Sequence, residues 1–316
     1  MLFRSGRVPP TLEIIPYGQD PLKTLADLLL AEVRGQPTDL RHAIVLLPHA
    51  GAVARFRSQL LDAAAVRGIE ALLAPETATF HGWLQAFGDD RCRHLHQSAR
   101  ELLLMEALVE HPALAQRWGA WALADSLLVL FDELTLNHSP LPGDLDTLID
   151  RLSAGYGISG PAPTPLSEEA HLVYTLWRAW QCQLATDGVH DTAARIVHGL
   201  ERSLCELAPG RHVYMAGFVL FDQTELTWIK TLINRHQITL LLHGQTGARG
   251  YHPDSALTNI VEALNVAPNV AQSSSAYTQL LNNVYVLDAD DLQLRDRKST
   301  RLNSSHSSVS RMPSSA

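Results

Sequence analysis

The apolar run "TLEIIPY" breaks at Gly18 and continues as "GQDPLKT", residues 18–24, before an amphipathic stretch. A strand, a glycine and then Lys-Thr opening a helix are the parts of a phosphate-binding loop. That loop needs G-x-x-x-x-G-K-[ST]: glycines let backbone N–H groups curl around the phosphates, Lys reaches the outer ones, and the hydroxyl binds Mg²⁺. Here Gly18, Lys23 and Thr24 stand in the right order, but the second glycine is missing. Pro21 also removes a donor where donors are needed. The plainer reading makes Lys23 a solvated residue in the first turn of a helix, and the nucleotide site degenerate.

"LLVLFDEL" places Asp132 and Glu133 after an apolar run, where an ATPase holds Mg²⁺ and water at a strand end. Its wider frame, "WALADSLLVLFDELTLN", has helical spacing, which favours an acidic pair on the solvent side of a helix. Cys92, His94 and His96 form C-x-H-x-H without a fourth ligand at zinc spacing, so an exposed polar loop is expected and no metal is assigned. For DNA the useful positions lie after strand ends, where α/β proteins bind ligands. "PHAGAVARFR" offers His49, Arg55 and Arg57; "TATFHGWL" offers Thr79, His81 and Trp83. An exposed Trp83 could stack a base, whereas the plainer reading is a core tryptophan.

The elements that would carry these residues alternate at first. "TLEIIPY" reads as a buried strand, followed by the helix "PLKTLADLLLAEVRG"; "HAIVLLP" is a strand apolar on both faces, feeding the helix "GAVARFRSQLLDAAAVRG". "IEALLAP" leads to "TATFHGWLQAF", a third strand turning into a helix. Residues 95–206 are helical by period, interrupted clearly only at "GYGISGPAPTP". Strand character returns at "HVYMAGF" and "QITLLLHG", with "DQTELTWIKTLINRH" as the helix between them. "YHPDSALTNIVEALNV" is a further helix, and the run to Asp291 ends in a candidate strand. The expected fold is α/β, a right-handed parallel sheet with a large all-helical insertion. Residues 1–94 form its first part, 95–206 the insertion and 207–295 the return.

Residues 296–306, "DRKSTRLNSSH", resemble, codon for codon, the translation of a common short-read sequencing adapter, and the polar Ser-rich remainder cannot build a core. Residues 296–316 are therefore set apart as an adapter-derived disordered tail, and the natural protein is expected to continue past Arg295. The chain carries 25 basic and 33 acidic residues, net −8. The tail holds Arg297, Lys298, Arg301 and Arg311 against Asp296, so residues 1–295 carry net −11. Such a balance opposes a strong sequence-independent grip on DNA, which comes from phosphate neutralisation, and leaves room for a local basic groove. Three scattered cysteines without a C-x-x-C pair point to a reducing cytoplasm. Neither a signal-peptide pattern nor a membrane-spanning run is seen.

In order and wording the segments resemble one family. "AIVLLPHAGAVARFRSQLL", "LLAPETATFHGWLQAF", "LADSLLVLFDEL", "VYMAGFVLFDQTELTWIKTL", "ITLLLHG" and "HPDSALTNIVEAL" are similar to the N-terminal part of AddB-type proteins, the PD-(D/E)XK nuclease-family subunits of bacterial AddAB helicase–nucleases. The likeness spans most of residues 11–266 and includes Gly217, Phe218, Glu225 and Leu226 in a G-F-x(n)-E-L segment. It implies a RecA-like (P-loop NTPase-type) sheet with a helical insertion, often without a working ATP motif. It also implies a scaffold and DNA-handling role in double-strand break repair and recombination, beside an active AddA-like motor subunit. The family's nuclease, with its Mg²⁺ ligands and often an iron–sulfur cluster, lies C-terminal to this stretch, so no catalytic or cofactor residue is assigned here. Two other readings stay open: an active superfamily 1-type ATPase, and a stand-alone metabolite-binding α/β protein with a helical lid.

Overall fold

The computed structural model describes residues 11–32, 38–88, 93–109, 119–138, 142–160, 162–248, 250–270 and 276–285. The tail from residue 296, the candidate strand at 286–291 and Cys92 lie outside them. The chain divides into two compact units, one of Met1–Phe80, Pro209–Phe221 and Ile229–Ala316, the other of His81–Ala208 and Asp222–Trp228.

In the first unit, strands β1 (Leu12–Ile15), β3 (Ala43–Leu47), β5 (Glu76–Thr79), β8 (His212–Ala216), β9 (Ile238–His243) and β10 (Asn269–Val270) form one sheet. Its order is β10-β1-β9-β8-β3-β5, with every pairing parallel. The parallel α/β expectation therefore holds. The reason is visible in β3, "AIVLL", whose five residues are all buried, since a central parallel strand faces core on both sides.

Helix α1 (Pro21–Glu32) follows β1, and α2 (Ala50–Val66) follows β3. Leu22, Leu25, Ala26, Leu29 and Leu30 recur at helical spacing on α1, and Ala52, Phe56, Leu60, Ala63 and Ala64 on α2. Together with Ile15, Val45, Leu47, Tyr214 and Leu241 they make one core. Residues 69–75 do not enter the main sheet. Their two-residue β4 (Leu72–Leu73) pairs instead with β2 (Thr38–Asp39), and the third strand is β5. Helices α10 (Ser255–Leu264) and α11 (Ala276–Val284) complete the unit's regular elements; α11 falls in the run whose end was expected to be a strand.

The second unit is helical apart from the two-residue strands β6 (Arg93–His94) and β7 (Val189–His190), which pair with each other in parallel, so that His94 lies on a strand and not in an exposed loop. It holds α4 (Gln97–Val109), α5 (Ala120–Leu136), α6 (Leu145–Gly155), α7 (Thr164–Asp187) and α8 (Thr192–Glu206). It begins at His81, within the short α3 (Phe80–Leu84), rather than at residue 95. The cause is Trp83, which is buried and meets Phe87 and Trp228 edge-on at 4.6 and 6.1 Å. Trp228 belongs to the first turns of α9 (Gln223–Asn234), and its indole N–H donates to Ser203 on α8 at 2.9 Å. The main helical core joins Leu104 and Leu108 of α4, Leu127, Leu128 and Phe131 of α5, and Trp177 and Trp180 of α7.

The Asp132–Glu133 run is helical, as expected, but only Glu133 faces solvent. Asp132 turns inward and accepts two hydrogen bonds, at 2.6 and 3.0 Å, from Arg100, which is 1% exposed. Arg100 also donates to Gln97 and Thr192, and lies 6.0 Å from the Trp180 ring. A buried guanidinium without its carboxylate is far costlier than the pair, and the pair itself is weak evidence for stability. Asp132→Ala should therefore lower unfolding stability by about 3 kcal/mol in urea titration, while replacing both partners (Arg100→Met with Asp132→Leu) should recover most of that loss. Equal loss in both variants would refute this account.

Candidate functional site

The chain from β1 crosses to β3 on one side, and the chain from β9 crosses to β10 on the other. The neighbours β1 and β9 thus mark the point where connections diverge, and ligands of open α/β sheets bind outside the strand ends at such a point. Two loops form its lips: residues 16–20 after β1, and residues 244–248 with 250–254 after β9.

The first loop holds Gly18 and leads to Lys23 and Thr24, the residues read as a degenerate phosphate loop. Gly18 is exposed, with φ +95°, a left-handed turn that suits glycine. Asp20 then precedes α1 and holds its first turn. Its Oδ1 accepts from the Leu22 N–H at 3.0 Å. Its Oδ2 accepts from Arg55 at 2.6 Å and from the Gln59 amide. Partial burial pushes the Asp20 carboxyl up, but the bonds from Gln59, the Leu22 N–H and Arg55 outweigh that, and the net shift is downward. Thr24 donates its hydroxyl to the Asp20 carbonyl at 3.0 Å, and Lys23 points into solvent. Neither is turned toward a common ligand.

The second loop answers the first. Tyr17 donates its hydroxyl to Asp254, whose other oxygen accepts from the Gln245 N–H at 3.2 Å. Burial, then the hydrogen bond to Asp254, raise the Tyr17 phenol above its ordinary range. The Asp254 N–H donates to His252 Nδ1 at 3.0 Å, and His252 Nε2 meets the Gln245 side-chain amide at 2.8 Å. His252 and Asp254 are both buried. The Tyr17 ring stands edge-on to His243 at 5.1 Å and Tyr277 at 5.0 Å. At Gly244 a Cβ would come within 2.8 Å of Asp254 Oδ1, so this approach needs glycine. The crevice lips are thus tied together by the chain's own side chains. Sequence reading missed this network; its one local signal is Gly244-Gln245-Thr246-Gly247 directly after a strand.

Of the expected DNA contacts, His49, Arg55, Arg57 and Thr79 lie in the first unit and His81 and Trp83 in the second. His49 caps α2, its Nδ1 accepting from the Ala52 N–H at 3.1 Å. Arg55 turns to Asp20, whereas Arg57, two residues on, donates to the Thr77 carbonyl at 3.0 Å on β5. Thr79, which ends β5, is half-buried. Trp83 is a core residue and offers no open ring face.

His81 is exposed in the helical unit, 3.7 Å from Glu225. Glu225 and Asp222 form a reciprocal cap on α9: the Glu225 N–H donates to Asp222 at 2.7 Å, and the Asp222 N–H to Glu225 at 3.1 Å. Burial, then the Asp222 charge, push the Glu225 carboxyl up to about 7. Burial also raises Asp222, against opposing bonds from the Glu225 and Thr224 N–H groups and the charges of His81 and His138. Among the described residues no group of three or more His, Cys, Asp or Glu is placed to hold a metal ion, and no helix is long and apolar enough to cross a membrane.

Compared with known proteins, the chain matches no family model and no curated protein.

The Glu225 shift has a testable sign. A carboxyl whose folded pKa lies above its unfolded value binds its proton more tightly when folded. Its contribution to stability is complete below pH 4.5 and is lost as pH rises toward 7. Glu225→Gln keeps a capping side chain and removes the ionisation. It should match the parent below about pH 4.5 and be the more stable protein above pH 7 in urea midpoints taken across that range. Parallel pH profiles for the two proteins would refute the assignment.

Proposed function

We propose that this chain is a helicase-like scaffold and DNA-handling module that does not hydrolyse ATP, the N-terminal part of an AddB-type repair subunit acting beside a motor subunit. The observation that carries the reading is Asp20, held by Arg55, Gln59 and the Leu22 N–H where a nucleotide phosphate would lie. The strand order adds support, because β9 and then β8 lie between β1 and β3, as in a RecA-like sheet. So does the connection between β5 and β8, which carries most of the helical unit. The chemistry of the family's nuclease is assigned to no residue of this chain.

Two titrations test it. Mg-ATP at a hundred times the Kd of a working site adds ~2.7 kcal/mol of stability, so a live site shows as a clear rise in Tm. No rise is expected, and a rise of several degrees would overturn the inactive reading. Anisotropy of a labelled single-stranded oligonucleotide should show binding that falls steeply between about 50 and 200 mM salt. Absence of binding at the lowest salt would remove the DNA-handling part.

A further inference from the structure

We propose that the groove between α6 and α7 docks an amphipathic helix of a partner protein, one that carries lysine or arginine beside its apolar face. The groove is open and measures about 570 Å³. Its apolar floor is Leu145 and Ile149 from α6 with Leu172 and Leu176 from α7.

Helix α6 is amphipathic yet poorly covered. Leu145, Leu148, Ile149 and Leu152 are each only half-buried, and the helix's one buried residue is Ser153. An apolar face left in this state by its own fold is a site where a further helix gains area, read through anchors at i, i+3 or i+4, and i+7. Helix α6 has 11 residues. That is about 16 Å, or three turns, the span over which such anchors repeat.

The charges choose the partner. Asp144, Asp146 and Asp150 are exposed along α6, and Glu168 and Glu169 are exposed on α7, with Glu168 on the groove wall. Residues 144–187 hold six carboxylates and only two cations, Arg151 and Arg178, a net of −4. A basic rim on the incoming helix meets this field, whereas an acidic helix or a second copy of this acidic chain is repelled by it. The argument uses the helical unit alone and does not rest on the repair reading.

The test uses the full chain and a fluorescein-labelled model helix of leucine and lysine in a 3.6-residue period, read by anisotropy. Binding is expected, with affinity falling as salt rises. The analogue with glutamate in place of lysine should bind at least about tenfold more weakly. Ile149→Glu and Leu172→Glu, with helicity checked by circular dichroism, should each weaken binding by about tenfold or more. Asp146→Lys with Glu168→Lys should weaken it without touching the floor. Leu61→Glu, an exposed leucine on α2 in the other unit, should leave it unchanged. No binding, equal binding of the acidic analogue, or equal loss at Leu61 would overturn the proposal. So would a sedimentation dimer that Ile149→Glu dissolves, since that identifies a second copy as the occupant.

Discussion

The start of α1 carries the partial positive charge that every helix N-terminus presents, and this chain supplies the anion for it from Asp20. The carboxylate does more than cap. Through Arg55 and Gln59 it ties the loop after β1 to the middle of α2, so α1 and α2 are joined at that end by charge as well as by their shared core. A second anion brought within about 4 Å of an ionised Asp20 meets a repulsion of about 4 kcal/mol at an effective dielectric of 20. A phosphate would face that repulsion at a helix end whose first free donors are already used. The missing second glycine and Pro21 weaken the loop as a nucleotide cradle, and Asp20 occupies its polar groups.

Internal hydrogen bonding of the same kind recurs on the opposite lip. Asp254 precedes α10 and could cap it, yet its side chain makes no capping bond there. It accepts instead from Tyr17 and from the Gln245 N–H. With His252 and Tyr277 added, the switch point between β1 and β9 is closed by groups drawn from both ends of the described chain. Burial makes such a network costly to leave half-satisfied, because each orphaned polar atom loses its water as well as its partner.

What was legible in the sequence follows from range and period. The apolar strands β3, β8 and β9 read plainly because a strand covered on both faces has no polar residues to disguise it. The two-residue β2, β4 and β10 have no period to read, so β4 was absorbed into a longer apolar run that never reaches the main sheet. Asp132 shows the limit for helices. Its spacing gives the helix but not the face, and the face is decided by Arg100, a residue 32 positions away whose burial no local pattern announces. Tyr17 and Asp254, separated by 237 positions, lie further beyond local reading.

Once the inward-facing polar groups are assigned, the titratable residues of greatest chemical promise have structural partners. Asp20 completes a helix end, Asp222 and Glu225 cap α9, and Asp132 matches Arg100. Each of these pairs keeps its side chain in a geometry fixed by the fold, with its hydrogen-bonding capacity turned toward internal partners. The α6–α7 hairpin differs in kind. The leucines and isoleucine of α6 are half-covered, and Asp146, Asp150, Glu168 and Glu169 are exposed, while Asp144 caps α6 through Thr147. Apolar area half-removed from water still has free energy to gain at roughly 25 cal/mol per Å² on full burial, and solvent-facing carboxylates can be paired without first being desolvated inside the fold. Among the described residues, the polar groups of the loops after β1 and β9 are thus taken up by internal partners, while the α6–α7 groove keeps half-covered apolar area and an acidic rim.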